Sequence, residues 1–208
     1  MEKIDFKKTL KNFYGPSAKE FSVVDVPEMQ FLMIDGHGDP NTARSYSEAV
    51  ESLYAVAYKI KFTSKNRLER DYTVPPLEGL WWAEDMNAFA QTRNKDAWDW
   101  TMMIMQPDWI TDEIFRDSVV EVRKKKDLPA LPIIRLERYH EGLSVQIMHV
   151  GSYDDEGSVL SSMHNQFIPE SGYRMIGKHH ELYLSDPRKV TPDKLKTVLR
   201  QPVERDTR

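Results

Sequence analysis

Met29-Gln30-Phe31-Leu32-Met33-Ile34-Asp35 is a compact apolar run that stops at Gly36-His37-Gly38-Asp39-Pro40, a cluster of residues that break regular structure. The pair reads as a strand and its turn. From Thr42 the residues Tyr46, Ala49, Val50, Leu53, Ala57 and Ile60 fall at helical spacing, so a helix of about five turns follows, with Asn41 or Thr42 available as its cap. Leu77-Glu78-Gly79-Leu80-Trp81-Trp82-Ala83 and Trp98 to Pro107 are then rich in strand formers and end in breakers, and they should pair antiparallel. The order is strand, helix, strand, strand.

Thr111-Asp112-Glu113 opens a second helix that Lys124-Lys125-Lys126 closes, with acids at its start and bases at its end, as the helix dipole favours. The lysine run therefore needs no ligand. Asp127 to Pro132, with two prolines, reads as a linker. Beyond it the same order returns. Leu143 to Val150 is a strand, Gly151-Ser152-Tyr153-Asp154-Asp155 its turn, and Val159, Leu160, Met163 and Phe167 the apolar stripe of a helix. Tyr173 to Leu184 and Thr197 to Val203 supply two more strands. The repeated order, with the paired endings Met105-Gln106-Pro107 and Arg200-Gln201-Pro202, points to an internal duplication of a β-α-β-β unit. Each unit carries a helix on one face of a small antiparallel sheet and leaves the other face to meet its twin, with a pocket expected where the units meet.

Within the second unit, Lys178-His179-His180-Glu181-Leu182-Tyr183-Leu184 places a carboxylate in a strand. Alternation puts His179, Glu181 and Tyr183 on one face, and His180, Leu182 and Leu184 on an apolar face expected to pack on a helix. A carboxylate beside an imidazole and a phenol suits a cationic or hydrogen-bonding ligand, or proton transfer.

With 208 residues the chain can bury a substantial core. Its 29 basic and 33 acidic residues give a net charge of -4, which argues against nucleic acid as a partner. The absence of cysteine excludes disulfides, thiolate nucleophiles and cysteine zinc sites. The opening residues lack the apolar stretch of a signal peptide, and no run approaches the ~18 apolar residues of a membrane span, so a soluble cytoplasmic protein without membrane contact is expected. Residues 1–25 are mixed and charged and read as an arm. No Gly-x-Ser-x-Gly elbow is present. A metal site at His179, His180 and Glu181 is not expected, because adjacent strand residues face opposite ways.

Four motifs occur in order: Phe31-Leu32-Met33-Ile34-Asp35-Gly36-x-Gly38-Asp39-Pro40-Asn41, Pro76-Leu77-Glu78-Gly79-Leu80-Trp81-Trp82, Trp100 to Pro107, and His179 to Pro187. They resemble the stand-alone GyrI-like proteins, relatives of the effector-binding domain of AraC-type and MerR-type multidrug regulators. The resemblance covers about residues 25–204. It implies an α+β fold of two tandem β-α-β-β (SHS2) modules around a pseudo-twofold axis, with helices on one face of antiparallel sheets and a central ligand groove. The arm would be 1–25, module one about 26–127 and module two about 133–204. The family's groove glutamate matches Glu181. Some similar stand-alone members hydrolyse cyclopropane-bearing, DNA-alkylating natural products of the duocarmycin type. The regulators' helix-turn-helix domain would not fit in the 25-residue arm.

The resemblance implies a hydrolase that opens electrophilic cyclopropanes on aromatic substrates without metal or organic cofactor. Its rival is a non-catalytic protein that sequesters lipophilic aromatic or cationic drugs in the same groove. On the first reading Glu181 orients or deprotonates water, Tyr72 or Tyr183 stabilises the developing phenolate, and Trp81 or Trp82 stacks on the ligand. Parity sends the two tryptophans to opposite faces without saying which lines the groove. Glu78 is a candidate second carboxylate and His179 a neighbour of Glu181. Tyr14, Tyr72 and Trp109 sit in connectors, as lids over a ligand or plugs over the core, and Met33 and Met105 read mostly as core, though flexible thioethers also suit a surface that accepts varied ligands.

Overall fold

Strands with an unpaired edge leave a row of N–H and C=O groups unsatisfied, and this chain meets that demand by joining its two halves edge to edge. The computed structural model describes residues 2–84 and 94–207. The strands are β1 (Lys3–Ile4), β2 (Ser22–Val26), β3 (Met29–His37), β4 (Asp71–Tyr72), β5 (Leu77–Trp82), β6 (Asp99–Gln106), β7 (Arg135–Tyr139), β8 (Gly142–Val150), β9 (Tyr173–Met175), β10 (His179–Tyr183) and β11 (Lys196–Arg205). The helices used below are α1 (Phe6–Thr9), α2 (Lys11–Tyr14), α3 (Arg44–Arg67), α4 (Asp112–Arg123) and α5 (Glu156–Ser162).

Among the described residues one antiparallel sheet runs β2-β8-β11-β10-β5-β6-β3-β7, with β9 paired to β11. The order is symmetric about the β5–β10 pair. Strands β3, β6 and β5 on one side mirror β8, β11 and β10 on the other, and α3 and α5 occupy matching places in the two β-α-β-β units. The edge strands are exchanged: β2, which precedes the first unit, pairs with β8, and β7, which precedes the second, pairs with β3.

Both helices lie on one face. The stripe of α3 (Ala49, Leu53, Val56, Ala57, Ile60) buries Leu32, Ile34, Trp81, Trp100, Met102 and Ile104. The segment from α5 through a π turn at Met163–Phe167 covers Val145, Ile147, Leu199 and Val203. Between these cores the helices leave a gap over the β5–β10 junction. The opposite face carries Phe31, Met33, Leu80, Met103 and Met105, with Leu182 and Val198 beside them, and the short α1–α2 segment closes it with Phe6, Leu10 and Tyr14. The arm is thus the cover for one side of the sheet.

Several local expectations change. The His180–Leu182 face packs on the α1–α2 segment, while the long helices share the Glu181 face, because a single continuous sheet has no second sheet to meet. Ala43, rather than Asn41 or Thr42, stands at the start of α3, since the Asp39 side chain takes the Asn41 N–H (2.9 Å) and its carbonyl takes that of Ala43 (2.7 Å). The run from Tyr173 splits into β9 and β10 at Gly177, whose φ of 63° belongs to the left-handed region. Thr111 caps α4 through Ile114 N–H as its sequence implies.

Candidate functional site

This gap becomes a cavity of about 1280 Å³ between α3, β5, β10 and the turn that opens α5. Strand β10 pairs with β5 in the register His179↔Trp81, Glu181↔Gly79, Tyr183↔Leu77, so alternation places Trp81 on the Glu181 face and Trp82 on the other. The walls are aromatic. Tyr46, in the first turn of α3, stacks on Trp81 (6.2 Å between centroids) and meets Trp100 edge-on (5.3 Å). Trp98 meets Trp81 edge-on at 5.7 Å, and Tyr153 meets Tyr183 in the same way at 5.8 Å.

Glu181 stands in this lining with its side chain 13% exposed. Its Oε2 accepts from the Tyr183 hydroxyl at 2.8 Å, and Tyr183 Oη accepts from Trp81 Nε1 at 2.9 Å. Oε1 lies 3.5 Å from Nε2 of His179, which is fully buried behind it and touches His164 ring to ring at 6.0 Å. Burial and the neighbouring His179 push the His164 imidazole down to about 4, so it is neutral near pH 7. A second carboxylate, Glu156, also lines the cavity and is 3% exposed. Burial, then Glu156 and Glu181, push the Tyr153 hydroxyl up to about 12, and burial followed by Glu181 raises Tyr46 and Tyr183 as well. These phenols stay protonated, and the Tyr183 hydrogen is given to Glu181. At the rim the charges pair with one another, Lys95 with Asp154 (3.8 Å) and Arg188 with Asp186 (2.9 Å).

Of the residues singled out from sequence, Glu181, Tyr183 and Trp81 come together at the cavity, with His179 behind them. The others lie outside it. Tyr72 is fully buried against Phe6 and Trp109 and donates to Gln106 (3.2 Å), while Trp109 donates to Ser64 (3.0 Å) beneath Arg70. Both plug the core near the C-terminal end of α3. Parity carries Glu78 and Trp82 to the opposite face: Glu78 accepts from Tyr14 at 2.6 Å, and Trp82 lies under the Lys178 ammonium. Met33 and Met105 pack there against Phe31 and Leu80, and Tyr14 is sealed with them on that side.

The same fold recurs in solved structures. A model of the GyrI-like small molecule binding domain matches residues 19–204. The chain belongs to the GyrI-like small molecule binding domain family. No curated protein matches it. An uncharacterized conserved protein from Listeria innocua is 45% identical to this GyrI-like chain, with a TM-score of 0.89 over 97% of this chain and 100% of that one. A structure named as a hydrolase from the same organism is 44% identical over 97% and 100%, with a TM-score of 0.85. The EcmrR C-terminal domain, 12% identical with a TM-score of 0.56 over 89% of this chain and 98% of its own, shares the fold. Among the described residues of this GyrI-like protein no helix is long and apolar enough to cross a membrane.

Sequence reasoning missed Glu156, Tyr153 and Trp98 as cavity residues and read Tyr46 as helix stripe alone. Tyr46 sits on that stripe, but at the end of α3 where the stripe leaves the core and meets the cavity. The acidic Asp154-Asp155-Glu156 run at a helix start was the available signal for the turn, and it resembles an ordinary solvated helix entry.

Proposed function

We propose that this chain is a hydrolase that opens an electrophilic cyclopropane conjugated to an aromatic dienone, with Glu181 as the working carboxylate. The observation that carries the reading is a carboxylate set in an aromatic cavity and already hydrogen-bonded to a buried phenol. The name of the 44% identical Listeria protein, a hydrolase, supports the reaction class. In the proposed step a water oxygen bonds to the strained ring carbon while Glu181 accepts the water proton. The ring carbon–carbon bond breaks, and its electron pair passes through the dienone to the carbonyl oxygen, which becomes a phenolate and takes up a proton. Aromatization drives the step, and the protein supplies position and charge. Trp81 and Tyr46 offer faces for a flat ligand, and Tyr46 or Tyr153 a donor for the phenolate. Tyr183 already gives its hydrogen to Glu181, and Tyr72 lies away from the cavity.

A second reading, sequestration of a lipophilic cation without chemistry, draws on Glu156 and Glu181 both lining the aromatic cavity. One experiment separates the two. The protein is incubated with a spirocyclopropyl-cyclohexadienone and the products are weighed by mass spectrometry. Catalytic gain of one water, reduced by about a hundredfold or more in Glu181→Gln, is expected for the hydrolase. Unchanged compound, or full turnover by Glu181→Gln, refutes it.

A further inference from the structure

The residue directly across from Glu181 on β5 is Gly79. Its φ is not positive, so glycine is not required there by backbone shape. It is required for room. A methyl built on Gly79 would sit 2.8 Å from Nε1 of Trp81 and 3.1 Å from Sδ of Met102, so the indole fills the space that a side chain would take. From that position Trp81 Nε1 reaches Tyr183 Oη at 2.9 Å, and Tyr183 in turn reaches Glu181 Oε2 at 2.8 Å.

The chemistry of the three groups gives this chain one direction. An indole N–H only donates and a carboxylate only accepts, so the phenol between them accepts from Trp81 and points its hydrogen at Glu181. Tyr183 is 102 residues from Trp81 in sequence, and the bond between them crosses the junction of the two repeated units. Without Trp81 the Tyr183 hydroxyl would be free to rotate towards a ligand or towards water in the cavity, and Oε2 would lose its fixed partner.

We propose that Trp81, seated on Gly79, is a positioning residue: it locks the Tyr183 hydroxyl onto Oε2 of Glu181 and so leaves Oε1, which lies 3.5 Å from His179 Nε2, as the oxygen that acts on the substrate. This rests on Glu181 being the working carboxylate, as proposed above. It differs from the simpler role of Trp81 as a stacking wall, which needs the ring and not its N–H.

The test uses Trp81→Phe, Gly79→Ala and Tyr183→Phe in the full chain, with the spirocyclopropyl-cyclohexadienone as substrate. Trp81→Phe keeps an aromatic face and removes the donor; kcat should fall about tenfold, the value of a hydrogen bond serving a charged group, with KM changed less than about threefold. Gly79→Ala keeps the indole but displaces it, and should lower kcat in the same way. The Trp81→Phe/Gly79→Ala double variant should be no worse than Trp81→Phe alone. A raised KM with unchanged kcat in Trp81→Phe, together with wild-type kinetics in Gly79→Ala, would overturn the proposal.

A second measurement does not depend on turnover. In the nitrogen-15 spectrum the five tryptophans give indole N–H signals, and that of Trp81 is the one lost in Trp81→Phe. Tyr183→Phe and Gly79→Ala should each shift this signal and speed its exchange with solvent. If it stays in place in both, the chain does not exist and the inference fails. A wild-type protein that leaves the substrate unchanged, but whose Trp81 signal responds, refutes the hydrolase reading and supports the chain.

Discussion

Glu141→Gln should destabilise the protein by about 3–5 kcal/mol near pH 6 and remove most of its alkaline sensitivity. On the face opposite the cavity, His180 Nδ1 lies 3.0 Å from both Glu141 oxygens, and Arg200 Nη1 donates to Glu141 at 2.9 Å. His180 Nε2 is 3.1 Å from Glu78, close enough for charge to matter. All four side chains are buried, and their charges cancel in pairs. Burial alone would lower the His180 value, but Glu141 and then Glu78 outweigh it and raise the imidazole from 6.5 to about 9. Burial alone would raise Glu141, but His180 and Arg200 bring it from 4.5 down to about 2.

The His180 contribution is complete below pH 6.5 and is lost as pH rises through about 9; the Glu141 contribution is complete above 4.5 and is lost as pH falls through about 2. Stability should therefore be flat between these limits and fall on both sides. The His180 shift from 6.5 to about 9 corresponds to roughly 3 kcal/mol, and because the same contact produces the Glu141 shift the two are not added. Urea midpoints at about pH 6 and about pH 9 test this. A cost below about 1 kcal/mol for Glu141→Gln at the lower pH, or retention of the wild-type difference between the two, would contradict this role of the buried network.

Gly36→Ala should cost about 1–3 kcal/mol in thermal unfolding, because the new methyl would lie 2.1 Å from the Trp100 ring that supports Tyr46; wild-type stability would contradict this packing. Glu156→Gln should weaken binding of ethidium, an aromatic cation, by about tenfold in a fluorescence titration, while an uncharged aromatic of similar size binds as before. Equal losses for both would mean that Glu156 shapes the cavity and contributes no attraction for positive charge.

Strand period made much of this legible from the chain. Alternation along His179 to Tyr183 gathered Glu181, Tyr183 and His179 on one face, and the repeated order of elements located them near a junction. Parity is relative, however. It separated Trp81 from Trp82 and Glu78 from Gly79, but only the pairing of His179 with Trp81 assigns each pair to a face. Tyr14, Tyr72 and Trp109 belong to short segments with no period to read, and their burial is decided by distant partners: Glu78, Gln106 and Ser64. Which face bears the helices was also hidden, since both faces of β10 offer residues fit for packing and the short arm carries no pattern that marks it as a cover. The edge-strand exchange was equally hidden, because nothing in β2 or β7 distinguishes a local partner from a remote one.

The β10 strand separates two kinds of charge by a single step in sequence. His180 turns into a sealed network in which every charged group has a charged neighbour, and Glu181 turns into a cavity where its partners are a phenol and an imidazole 3.5 Å away. A fully paired buried network resists rearrangement, because removing any member strands another charge. Arg200 holds the Phe13 carbonyl at 2.6 Å, and Gln146, which accepts from Arg200, holds the Asn12 carbonyl at 2.7 Å, so the network also fastens the α1–α2 cover to the sheet. Strand β10 is thereby fixed from below, and Glu181 inherits that rigidity without sharing the network's charge. A site meant to hold one carboxylate in one orientation against a variable ligand needs both conditions, and neighbouring residues on opposite faces of one strand supply them.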